Sequence, residues 1–215
     1  MARKPKGSKR KKATKEPYDK VLIVCEGSKT EPNYFEEIQA HYQISSLNIV
    51  IDGESGSSPS CVVKHAKKLA KKETDLGSPF DKIYCVFDKD NHACYDGALA
   101  QIRAQSGDVF ESAQSVPSFE FWLLLHFEMT TRAYVSQQGN SVGAQVVRDL
   151  KAKEGMAQYD KGEKGSFKKL FNRLDTAKRN AERVLAAAES NQTDNPSTHV
   201  HLLVDYLQNI KVSND

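Results

Sequence analysis

The sequence predicts an α/β fold with a mostly parallel sheet, flanked by helices and followed by a helical C-terminal part, on three observations. Apolar runs of strand length alternate with helix-period segments from residue 20 to residue 116. The first run, Val21-Leu-Ile-Val-Cys25, is apolar throughout, as a strand covered on both faces of a parallel sheet must be. After Pro117 strand-like runs cease and helical periodicity takes over.

The elements follow in order. Glu26-Gly27 ends the first strand, and a helix starts near Glu31, with Pro32 in its first turn and Tyr34, Phe35 and Ile38 as its apolar stripe. Leu47 to Ile51 reads as the second strand and Gly53 to Pro59 as a loop. Ser60 is the expected cap of a helix that turns Val62, Val63, Ala66, Leu69 and Ala70 inward and five lysines outward. Asp81 to Phe87 is the third strand and delivers Asp88-Lys89-Asp90, and a helix from Tyr95 to Gln105 and a strand from Val109 to Val116 close the series. Beyond it, helices are expected over Phe119 to Phe127, Val142 to Lys153, Ser166 to Ser190 as one long element, and Ser197 to Asn209. The long element repeats Phe167, Leu170, Phe171, Leu174, Ala177, Ala181, Val184 and Leu185 at close to 3.6 residues, a stripe read as core packing.

Charge is distributed unevenly over the 215 residues. Residues 1–16 hold eight bases and one acid, net +7 against +3 for the whole chain, which leaves −4 for the rest. That tail is expected to be disordered, and its clustered cations can exchange for the counterions of a nucleic acid without reading sequence. An α/β unit over 17–130 and a helical extension over 131–215, packed on the same domain, complete the expected organisation. The longest apolar stretch, Phe119 to Phe127, is interrupted by Glu120 and His126 and is far short of the ~20 residues of a spanning helix. No apolar run of signal length follows the basic start, so a cytoplasmic protein is expected. Cys25, Cys61, Cys85 and Cys94 show no metal-type spacing and read as small core residues of a reducing compartment.

In an open parallel sheet, ligands bind at the carboxyl ends of the strands. Glu26 ends the first strand, while Asp88 and Asp90 end the third, two residues apart, so that both carboxylates can face one way. Adjacent strands lie ~4.8 Å apart, which lets three carboxylates converge. Such a group needs raised pKa values or a hard cation, and oxygen donors without His or Cys favour Mg²⁺ or Mn²⁺. The alternative reading makes Glu26 a cap or dipole partner of the next helix, and Asp88 and Asp90 turn residues. Gly27, Lys29 and Thr30 are candidates to meet a phosphate at the following helix N-terminus, and Ser57 and Ser58 to do so from the glycine-rich loop. His126 reads as a core histidine, and His199 and His201 diverge on a helix.

The blocks VLIVCEGSKTEPNYFEEI, GESGSSPS, VFDKD, SVPSFEFWLLLHF and NPSTHVHLLV, in that order, closely resemble the RloB-like (AbiLii) proteins over roughly residues 20–207. That family is similar to the Toprim fold of topoisomerases, primases and overcoming-lysogenization-defect nucleases. The resemblance implies acid/base or metal chemistry for Glu26 and Mg²⁺ binding for Asp88 and Asp90. It also matches a Tyr-x-Lys pattern at Tyr159 and Lys161, whose ammonium group can stabilise charge on phosphorus. Family members commonly carry Asn where this chain has Val116, which removes a polar side chain near the expected site but leaves Ser118 and Glu120. Glu120 either completes a metal site or stabilises its own helix turn. The implied activity is a Mg²⁺-dependent nuclease on DNA, tRNA or another RNA, in antiphage abortive infection beside an AAA/ABC-type ATPase of the RloA/AbiLi kind, with no membrane and with a homo-oligomer among the expected assemblies. The alternative is a non-catalytic nucleic-acid-binding or regulatory subunit of the same complex.

Overall fold

The computed structural model describes residues 19–46, 48–90, 92–105, 107–136 and 141–210, so the basic tail expected to be disordered lies outside the described residues. Strands β1 (Val21–Cys25), β2 (Ile49–Asp52), β3 (Lys82–Val86) and β4 (Phe110–Ser112) form one parallel sheet in the order β2-β1-β3-β4. Helices α1 (Thr30–His41), α2 (Pro59–Asp75) and α3 (Tyr95–Arg103) are the crossovers. The α/β class is therefore as the sequence predicts, and β1 and β3 are neighbours.

The all-apolar β1 is explained by two cores. Val21, Ile23 and Cys25 face α1 and the C-terminal helices, while Leu22 and Val24 face α2 and α3, and all five are fully buried. β3 divides the same way, with Tyr84 and Val86 on one side and Ile83 and Cys85 on the other. The first core also takes in α4 (Phe119–Leu124), α5 (Val142–Lys151), α6 (Ser166–Leu170), α7 (Leu174–Ser190) and α8 (Val200–Asn209), so the helical C-terminal segment is half of the main hydrophobic interior. No helix among the described residues is long and apolar enough to cross a membrane.

Four sequence expectations change. The strand expected over Val109 to Val116 is two: β4 ends at Ser112, and β5 (Ser115–Val116) leaves the sheet to pair antiparallel with β6 (Ser197–Thr198). The residues at the start of the helix expected over Ser197 to Asn209 are consequently strand. The long helix expected over Ser166 to Ser190 is broken by a 3₁₀ turn at Phe171–Arg173, because α6 packs on α1 whereas α7 packs on α4. Finally, Ser58 rather than Ser60 caps α2: its hydroxyl accepts the Cys61 N–H at 3.4 Å, and Pro59 occupies the first turn.

Candidate active site

Five chain segments meet at the carboxyl edge of β1 and β3. The backbone N–H of Glu26 bonds the Val86 carbonyl at 2.9 Å, so β1 and β3 end level with each other. The Glu26 carboxylate then spans the gap, accepting the Asp88 backbone N–H at 3.1 Å on one oxygen and lying 3.1 Å from His92 Nε2 on the other. Asp88 bridges to Ser115, and the N–H groups of Lys89 and Asp90 bond the carbonyls of Ser115 and Pro117, which ties the acidic turn to β5. Among the described residues no donor reaches the Asp88 carboxylate.

Two further carboxylates close the group. Glu31, in the first turn of α1, is buried with its carboxyl folded back over Gly27. Glu120, in the first turn of α4, is 2 % exposed and accepts the Ser118 hydroxyl at 2.7 Å, the Tyr159 hydroxyl at 3.3 Å and the Lys161 ammonium at 3.1 Å. Lys161 belongs to a loop held against α1: Asn33 Nδ2 donates to the Gly162 carbonyl at 2.9 Å, Gly162 sits on the Lys29 side chain, and Glu37 accepts the Gly165 N–H. A cavity of about 310 Å³ opens beside the group, lined by Asp88, Asp90, Ser118, Lys161 and the start of α5 (Ser141, Gly143, Ala144).

The electrostatics follow from this crowding. Burial raises the Asp88 carboxyl well above the carboxylate range, and Glu31, Glu120 and Glu26 push it further in that direction against the pull of Lys161. Burial brings Glu31 up to about 7; its own backbone N–H opposes, and Glu120 and Glu26 add to the rise. Burial also raises Glu26, restrained by the Asp88 N–H and His92. For Lys161, burial disfavours the charge, but Glu120, Asp88 and Glu31 outweigh it and hold the ammonium form. The donors are all oxygen and the anionic charge exceeds the cationic, which suits a hard cation. Among the described residues, however, no three His, Cys, Asp or Glu side chains stand in a geometry that already holds one.

The remaining sequence candidates divide. Asp90 lies at the cavity with positive φ, exposed, and among the described residues its carboxylate has no hydrogen bond of the kind that locks Glu26. Gly27 makes room for Glu31, and the exposed Lys29 packs its side-chain carbons on Gly162. Thr30 opens α1, Ser57 is exposed, and the Ser58 hydroxyl is engaged as the α2 cap. Val116 is buried in the second core beside Phe87 and Tyr95, so its position faces the interior and not the carboxylates. Glu31 and His92 were not singled out by the sequence. The available signal for Glu31 was its place in the first turn of a helix that starts at the strand ends, where a side chain projects back over the sheet edge.

A four-stranded parallel sheet with four carboxylates and a lysine at its carboxyl edge defines an α/β protein with an acidic cleft at the strand ends. The model of the RloB-like protein family matches residues 21–207, and the chain belongs to the RloB-like family. No curated protein and no solved structure matches it.

Proposed function

We propose that this protein is a divalent-metal-dependent nuclease that cleaves phosphodiester bonds in DNA or RNA. The observation that carries the reading is the meeting of Glu26, Glu31, Asp88 and Glu120, from four separate elements, with Lys161 as the ammonium group that faces three of them. Oxygen-only ligation favours Mg²⁺ or Mn²⁺, which Asp88 and Glu120 would hold with Asp90 or Glu31 completing the set. Such an ion would supply polarisation of a phosphoryl oxygen and a lowered pKa for bound water. Glu26 is the general base, oriented by the Asp88 N–H and His92, and Lys161 is placed to meet the negative charge that gathers on phosphorus. The 310 Å³ cavity beside them, with the first turn of α5 in its wall, suits the phosphate.

A defence role beside an AAA/ABC-type ATPase belongs to the same proposal and is supported only by the family resemblance. The ion pair between Lys161 and the buried Glu120 favours a second reading, since it neutralises part of the site without any metal. In that reading the chain is a non-catalytic nucleic-acid-binding subunit. Calorimetric titration of Mg²⁺ or Mn²⁺ into wild type and Asp88→Ala, followed by incubation with plasmid and total tRNA, separates the two. Metal binding and cleavage that vanish in the mutant are expected; cleavage that survives in it, or wild type that binds no metal even with nucleic acid present, removes the nuclease reading.

A further inference from the structure

A second cavity, about 680 Å³, opens at the other end of α1, where that helix meets α6. Its walls are aromatic: Phe167 is buried, Phe171 half-buried and His41 exposed. The His41 ring centroid lies 4.1 Å from that of Phe171 and 5.5 Å from that of Phe167. Glu37 also lines it, but its carboxylate is engaged by backbone N–H groups at the start of α6, including those of Phe167 at 3.0 Å and Lys168 at 3.3 Å. The side chains of Lys168, at the cavity, and Lys164, just before it, have no carboxylate partner among the described residues. A largely apolar chamber whose one unpaired lining charge among the described residues, Lys168, is cationic fits a ligand with a flat unsaturated part and a negative backbone.

Two chain segments join this chamber to the carboxylate site. The stretch from Tyr159 to Phe171 has Tyr159 and Lys161 on Glu120 at one end and two chamber rings at the other. Helix α1 carries Glu31 at its start and His41 at its end, ten residues or about 15 Å apart along its axis. That is a span of a few nucleotides. We propose that the chamber is a base-stacking subsite: an unpaired base of a single-stranded nucleic acid stacks on His41 and Phe171, with the buried Phe167 as the floor behind them, while the backbone passes Lys168 and Lys164 towards Lys161. The inference rests on the nuclease reading for the direction of the strand, but not for the stacking. Aromatic side chains hold bases of any identity in this way, and the bases of a duplex, already stacked, cannot enter.

Fluorescence anisotropy with a short labelled single-stranded oligonucleotide tests it, in EDTA so that no cleavage intervenes. The same oligonucleotide with abasic sugars is the comparison ligand. Wild type is expected to bind the abasic strand about tenfold or more weakly. His41→Ala and Phe171→Ala should each lose about five- to a hundredfold on the intact strand and far less on the abasic one. Lys168→Glu should weaken both strands alike. Equal wild-type affinity for the two strands overturns the proposal, as does a His41→Ala loss of the same size on both; these two readouts stand even if Phe171→Ala disturbs packing. Base-dependent binding by a protein that never cleaves in Mg²⁺ would sink the nuclease reading and leave the subsite, whereas cleavage indifferent to abasic substitution would do the reverse.

Discussion

The Glu31 carboxylate rests on Gly27, and a Cβ added at position 27 would collide with Glu31 Oε2. The requirement is one of space and not of backbone conformation, because Gly27 is not among the positive-φ residues. It ties the turn after β1 to the first turn of α1, and so fixes one wall of the carboxylate group.

Gly27→Ala should therefore leave the fold intact, since the obstructing atom is the end of a flexible side chain that can swing away. Circular dichroism and Tm should stay close to wild type while metal affinity and cleavage fall at least tenfold. A normal site in Gly27→Ala would show that Glu31 takes no part in it.

Lys161→Met removes the ammonium group from Glu120, which is 2 % exposed. Breaking a buried pair costs several kcal/mol, but the lysine side chain is 55 % exposed, and screening reduces the loss to about 1–2 kcal/mol. Adding Glu120→Gln to Lys161→Met should recover most of it. Urea unfolding of the four proteins of this cycle measures the coupling.

Gly162→Ala should destabilise by about 1–3 kcal/mol, because φ is +81° and the new Cβ would stand 2.8 Å from the Lys29 Cβ. The loop that carries Lys161 must then move, so cleavage should fall along with Tm. Lys29→Gly in the same chain relieves the contact but not the backbone strain, and should restore only part of the stability.

His126 supplies a pH dependence away from the site. Burial brings its pKa from 6.5 down to about 4, and only Nδ1 has a partner, the Trp122 carbonyl at 3.1 Å. The folded value lies below the unfolded one, so protonation favours the unfolded chain. This contribution is whole above pH 6.5 and declines as pH falls towards 4. Between pH 7.5 and 5 it amounts to about 2 kcal/mol. The raised carboxyls Asp88 and Glu31 act with opposite sign, so the comparison must be made with His126→Phe, whose change in unfolding free energy over that interval should be less destabilising by about that amount.

How much of this was legible in the sequence depends on whether the determinant is local. β1 declared itself because each of its five side chains is buried, alternately in two cores. The meeting of β1 and β3 followed from the ordinary winding of parallel sheets, and it put Glu26 and Asp88 together. Position 116 looked like the end of a strand and a neighbour of the site; its partner is Ser197, far along the chain, and that pairing takes Val116 into the core. The continuous stripe from Phe167 to Leu185 concealed the 3₁₀ turn, because a periodicity does not show that its two halves pack on different helices. Glu31 was passed over as part of an ordinary helix start, and its role is visible only once Glu120 and Lys161 are folded around it.

The way Lys161 reaches the carboxylates has a consequence for biosynthesis. Glu26, Glu31, Asp88 and Glu120 all leave the ribosome before the lysine that faces the last three of them, some forty residues ahead of it in the case of Glu120. Domains form from the N-terminus as they emerge, so the growing sheet gathers its negative charge with its ammonium counter-ion still unmade. The nascent acidic edge must stay protonated, hydrated or open until the loop from Tyr159 to Gly165 arrives. A chain stalled before residue 161 also lacks α7 and β6, which pack on α4, so the released full-length Lys161→Met chain is the proper comparison, and limited proteolysis should find its α4 start softened relative to wild type.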